Sequence, residues 1–250
     1  MLKEIKNLFS FLTTIPVSMD QDILTDTAKC MFLFPLIGAF IGLLAGLCGW
    51  AIFPFLPGLV VGALVLGFLL LITGLHHTDG LLDFGDGVMA HGSPERKIEI
   101  MHDQLTGAGG LSLGIMTFLI TAFAIAELDQ GIIVQGLVVV EVSAKLSMVV
   151  GAWAGKAVHK GMSSSFLEAM HGTKGNARLV AALIISFGIA LPLLWLTGAV
   201  TVLAAILASL VMVGIAHRHF KGVTGDVLGA TNELARVASL ITLLAMIQWV

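Results

Sequence analysis

The sequence has no tyrosine, only two cysteines, and a charged fraction of 12%, about half that of an ordinary soluble domain. So little charge cannot cover a water-soluble fold. Cys30 and Cys48 lie in one apolar stretch, where they read as small packing residues and not as a disulfide or a metal clasp. Basic residues are not in excess either: a net charge of -3 offers no surface to nucleic acid, which is excluded as a partner. The N-terminal MLKEIKNLFSFLTTIPVSMD lacks the continuous apolar core and small-residue cleavage site of a signal peptide.

What is present is apolar. Hydrophobic residues make up 57% of the chain and the mean hydropathy is +1.00. Seven apolar stretches fall at approximately 30–52, 58–75, 110–126, 131–151, 179–196, 199–216 and 228–249, most near the roughly 20 residues a crossing needs. They predict an all-α fold, a polytopic integral membrane helical bundle of about seven transmembrane helices in a single domain over 1–250. Ahead of it, Leu2, Ile5, Leu8, Phe9 and Leu12 recur at helical spacing around Lys3 and Lys6, as in an interfacial helix lying on the bilayer. The connectors alternate in charge. FPFLP (53–57), AELDQG (126–131) and LTGA (196–199) hold no Lys or Arg, while the N-terminal arm and the connectors 76–109, 152–178 and 217–227 hold eleven of the thirteen basic residues. The rich side is expected to be cytoplasmic, with the N-terminus inside and the C-terminus outside the cell membrane. Gly38, Gly42 and Gly46 would let a neighbouring helix approach closely. Pro35 and Pro192 fall inside expected spans and are candidate bends.

Against this background, HHTDGLLDFGDG (76–87) stands out. An ionised residue at mid-membrane costs roughly 2.5–3.5 kcal/mol, so Asp79, Asp83 and Asp86 must face protein, water or a cation. On a helix, His76 and the three aspartates share an arc of about 80°. Carboxylates so close raise one another's pKa unless neutralised, and hard oxygen ligands favour Mg²⁺, Mn²⁺ or Ca²⁺. The competing reading is a solvated loop broken by Gly80, Gly85 and Gly87. A second polar patch, HFKGVTGDVLGATNELARVAS (219–239), puts Asp226, Glu233 and Arg236 on one face at the same side of the membrane. A third, MHDQLTGAGGLSLG (101–114), supplies Asp103 and glycines 107, 109 and 110 at a helix start, where free amides receive phosphate oxygens.

Glu141 and Lys145, at i,i+4, either neutralise each other or bind substrate; Arg236 has a local partner in Glu233. The connector with Lys156, His159, Lys160, His171, Lys174 and Arg178 is basic for topogenic reasons before any phosphate clamp. His77, His91, His102, His217 and His219 follow no ligand spacing. Aligned aspartates, a divalent cation and glycine-rich helix starts suit phosphoryl transfer to an alcohol with a nucleotide leaving, and the membrane suggests a bulky or hydrophobic substrate.

Three blocks, LITGLHHTDGLLDFGDG (71–87), MHDQLTGAGGLSLG (101–114) and VTGDVLGATNELARVASL (223–240), together with FLTTIPV (11–17), resemble the signature blocks of the cobalamin synthase family, adenosylcobinamide-GDP ribazoletransferase. The resemblance runs in order over nearly the whole chain. It implies a polytopic, Mg²⁺-dependent phosphotransferase that joins adenosylcobinamide-GDP to α-ribazole, or to its 5′-phosphate, and releases GMP. Carried over, Asp79, Asp83 and Asp86 would be the metal ligands; in a working mechanism, Asp86 or Asp226 is the candidate catalytic base that accepts the hydroxyl proton. His76, Asp103, Gly107, Lys145, Asp226, Asn232, Glu233 and Arg236 are the candidate substrate-binding residues. Thr14, where a basic residue is expected, and Lys145, where arginine is more usual, depart from the family pattern. Assembly as a homo-oligomer is left open. A CDP-alcohol phosphotransferase-like phospholipid synthase has a similar Asp-rich block, but its Ala-Arg and further glycine spacing are missing here. A metal- or proton-coupled transporter would place acidic residues near mid-span and often in paired repeats; here they gather at one edge without a repeat.

Overall fold

A computed structural model describes residues 2–15, 27–158 and 162–248; His159 and Lys160 of the basic connector, and Pro16 and Val17 of the FLTTIPV block, lie outside them. Ten α-helices run through the described residues: α1 (Leu2–Leu12), α2 (Phe34–Ile52), α3 (Gly58–Ile72), α4 (His76–Met89), α5 (Pro94–Met101), α6 (Ala108–Ala126), α7 (Ile133–Ala154), α8 (Met162–Ala169), α9 (Gly172–Phe220) and α10 (Gly225–Ile247). No strand occurs among these residues, only an isolated bridge between Ala157 and Val223.

Helix α7 is the hub, buried along almost its whole length and packed against α2, α9 and α10. The glycine stripe of α2 makes the closest approach. A Cβ on Gly38 would stand 2.4 Å from the Glu141 carbonyl oxygen and one on Gly42 2.4 Å from that of Leu137, well inside van der Waals contact, so only glycine admits this spacing. Pro35 sits in the first turn of α2 and starts the helix without bending it.

Among the described residues five helices are long and apolar enough to cross a membrane, and α3, short at 15 residues, passes the same test joined to α4. Helix α9, 49 residues long, would measure about 74 Å if straight, more than twice the hydrocarbon thickness. It is a hairpin. Near its start Asn176 accepts a 2.8 Å hydrogen bond from Trp153, and near its end His217 accepts one of 3.3 Å from the Lys156 amide, so both ends meet the same end of α7. The reversal follows Pro192, with non-helical backbone at Leu194 and Trp195. Counting both arms of this hairpin, together with α3, gives seven crossings, matching the seven apolar stretches. Leu43, Leu47, Leu64, Leu119, Ile184 and Leu207 stay exposed on the outer faces, the surface expected against lipid.

Helix α1 forms as the periodicity predicts. It packs its apolar face inward, with Leu8 and Leu12 buried and Phe9 edge-on to Phe40 at 4.9 Å. At the end of α3, Gly74 and Leu75 both take positive φ (67° and 62°), and the chain bends by 97° into α4. Thus α4 runs across the line of α3 and packs between α6 and α10.

Candidate active site

Helix α4 runs unbroken through the glycines that might have made it a loop, and those glycines seat it. A Cβ on Gly80 would come 2.9 Å from the Asp226 Cα, and one on Gly85 2.9 Å from the Gly110 Cα. Backbone therefore meets backbone on both sides, α10 on one and α6 on the other, which brings Asp226 to the carboxylates of α4. Gly80→Val is expected to push α10 away and lower turnover on the order of tenfold through misplaced groups, with the bundle still assembled; activity and circular dichroism on the purified variant check this.

Asp79 is exposed while Asp83 and Asp226 are half-buried. Among the described residues no cation lies within ion-pair distance of Asp79 or Asp83. Burial, followed by the charges of Asp79, Asp226 and Asp86, pushes the Asp83 carboxyl up to about 7, as expected of crowded like charges without a counter-ion. His102 is near enough to act on the charge of Asp226. Thr224 caps α10, accepting from the Val227 amide at 3.3 Å, and donates to Asp226 Oδ2 at 3.3 Å.

Asp86, expected as a metal ligand or base, has both carboxylate oxygens hydrogen-bonded within the protein. Its Oδ2 accepts from the Gly107 amide at 2.6 Å and its Oδ1 from the Gly110 amide at 2.8 Å. Gly107 occupies the N-cap of α6 and has no side chain to cap it, so α4 supplies the carboxylate, which the helix dipole favours. Two of the amides read as phosphate receivers are thereby occupied, and Asp86 holds the start of α6. Asp103 is exposed and turns its own loop, accepting from the Leu105 amide at 3.2 Å. His76 is exposed in the first turn of α4.

Four of the candidate substrate-binding residues lie elsewhere. Lys145, Asn232, Glu233 and Arg236 are buried between α7 and α10, each at most 1% exposed. Arg236 donates to Glu141 Oε1 at 2.5 Å and Oε2 at 3.2 Å and also to Glu233. Lys145 donates to Asn232 Oδ1 at 2.6 Å, and Asn232 in turn to Glu233 at 3.0 Å; the Lys145–Glu141 separation is 4.0 Å. Two cations and two anions cancel, and no side chain is free to reach a substrate: the group is a closed internal network. His77, dismissed in the sequence as scattered, is buried beside it on α4, with Nδ1 unpartnered. Its signal was its neighbour Gly80, since a residue three before a close helix contact shares that face.

Metal binding can be tested on these side chains. Among the described residues no three of His, Cys, Asp and Glu are arranged to enclose one ion. Asp79 and Asp83 form an open rim instead, and Mg²⁺ is characteristically held by one or two carboxylates with substrate phosphates and water completing its octahedron. Unneutralised hard oxygens of this kind fit that ion.

The family model described as Cobalamin-5-phosphate synthase matches residues 4–244. The chain belongs to this family. Its relatives in the cobalamin-5-phosphate synthase family include the adenosylcobinamide-GDP ribazoletransferase of Methanosarcina mazei, 34% identical over 95% of this chain and 90% of the relative. Those of Methanococcoides burtonii, 31% identical over 97% and 92%, and Clostridium acetobutylicum, 28% over 96% and 95%, also align nearly end to end. No solved structure gives a significant match.

Proposed function

We propose that this member of the cobalamin-5-phosphate synthase family joins adenosylcobinamide-GDP to α-ribazole or its 5′-phosphate and releases GMP, acting at the cytoplasmic edge of the cell membrane as one integral domain. The observation that carries the reading is the meeting of Asp79, Asp83 and Asp226 at one end of the bundle in a chain that aligns with ribazoletransferases over nearly its whole length. That end also carries the basic connectors, which is the reason for placing it inside.

In the reaction the 3′-hydroxyl oxygen of the nucleoside bonds to the phosphorus attached to cobinamide, the bond from that phosphorus to the bridging oxygen breaks, and GMP leaves. Asp79 and Asp83 would hold Mg²⁺, which when bound neutralises charge on the diphosphate oxygens. Asp226, fixed by its Thr224 hydrogen bond and the Gly80 contact, accepts the hydroxyl proton. Asp86 keeps α6 and its preceding loop in register with α4. The buried Glu141–Arg236 network locks α10 to α7 and so fixes where Asp226 stands. Purified protein given Mg²⁺, adenosylcobinamide-GDP and α-ribazole is expected to yield equal amounts of GMP and a cobalamin by chromatography. Formation of a phospholipid from a CDP-alcohol instead would overturn the assignment.

A further inference from the structure

Beside the acidic rim the structure carries a site of opposite sign. An open surface pocket of about 280 Å³ is lined by Gly92, Pro94, Lys97, Arg218, His219 and Lys221. Lys97 comes from α5, whose start is capped by Ser93. Arg218 and His219 end α9, and Lys221 follows in left-handed backbone (φ 65°) that turns the chain toward α10.

The side chains are arranged to donate. Lys97 donates to His219 Nδ1 at 2.9 Å; an ammonium has no lone pair, so Nδ1 is the acceptor and the ring keeps its proton on Nε2, a further donor. Arg96, by contrast, is paired with Glu99 at 2.9 Å. Among the described residues none of Lys97, Arg218 and Lys221 has a carboxylate within ion-pair distance, although Lys221 acts at longer range on the charge of Glu95. Topogenic bias puts basic residues in a connector but does not gather three cations and an imidazole around one pocket. The pocket is also coupled to the rim: Phe84, next to Asp83, packs edge-on against Phe220, between His219 and Lys221, at 5.9 Å.

We propose that this pocket is a binding site for a phosphate monoester, whose nearly doubly charged oxygens match three cations and a neutral donor. On the reading of the reaction given above, which this inference presupposes, the phosphate is the 5′-phosphate of the nucleoside co-substrate. In this placement the nucleoside lies between the basic pocket and the acidic rim, with its 3′-hydroxyl toward Asp226. The same chemistry is offered by the headgroup of phosphatidic acid.

Calorimetric titration of the whole protein in phosphatidylcholine nanodiscs, with α-ribazole 5′-phosphate and separately with α-ribazole, separates these cases. The wild type is expected to bind the phosphorylated nucleoside at least about tenfold more tightly, the order expected of charge-assisted hydrogen bonds, and the ratio should fall to near one in Lys97→Gln/Arg218→Gln. A ratio near one in the wild type, or one unchanged in the double variant, overturns the site. If adding phosphatidic acid to the nanodiscs erases the wild-type preference, the pocket belongs to a lipid headgroup and the nucleoside assignment is overturned. If the preference holds but α-ribazole 5′-phosphate with adenosylcobinamide-GDP and Mg²⁺ yields no GMP, the transfer reading fails and the phosphate site stands.

Discussion

Asp83→Asn is expected to abolish GMP release, with kcat lowered by about 10³ or more, since a neutral amide holds a divalent cation far more weakly than a carboxylate and so loses the charge that the cation sets against the diphosphate. Its fold should survive. Asp83 is only half-buried and its carboxyl is held at about 7 by burial and by Asp79, Asp226 and Asp86. The sign follows from linkage: ionisation is opposed in the folded state, so the native fold loses stability as pH rises from the unfolded carboxylate pKa of about 3.9 through 7. A neutral amide removes that loss, and thermal unfolding at pH 8 should show a midpoint equal to or above that of the wild type. Near-normal turnover by the variant would remove Asp83 from the chemistry.

Arg236→Met is expected to act on stability. It leaves Glu141 and Glu233 buried with Lys145 as their only charged partner within the network, and breaking a buried ion pair from one side costs about 3–5 kcal/mol. For a chain of this size that corresponds to a fall of roughly 6–20 °C in unfolding midpoint, measurable by thermal shift in detergent. Adding Glu141→Gln returns the site to electrical balance, Glu233 against Lys145 bridged by Asn232. The double variant should therefore recover part of the loss, a coupling that a purely steric role for Arg236 would not produce.

The sequence carried the scaffold well because hydropathy and connector charge are local properties. Each apolar stretch became a helix, and even the merged α9 was foreseeable as two crossings from LTGA at 196–199. The acidic face of α4 was also readable, since 100° per residue fixes His76, Asp79, Asp83 and Asp86 once the segment is helical. What local pattern left out were partners from other helices. The Glu141–Lys145 and Arg236–Glu233 pairs both form, but Arg236 also reaches Glu141 across 95 positions. Asp86 lines up with its neighbours on one face, and what that pattern does not reveal is that its oxygens also accept from amides 21 and 24 residues away. Helix periodicity orders side chains around one axis and is silent about what a second helix brings.

The Glu141–Lys145 pair also gives the molecule a history. A chain made from its N-terminus delivers α7 to the bilayer before α10 exists, and Glu141 then has no arginine to meet. Lys145, one turn along the same helix and 4.0 Å from Glu141, is the opposite charge that α7 itself sets beside that glutamate. α10 adds the Arg236 guanidinium on Glu141 and Asn232 on Lys145. Asp226 comes from that same helix, so without α10 the acidic rim is incomplete.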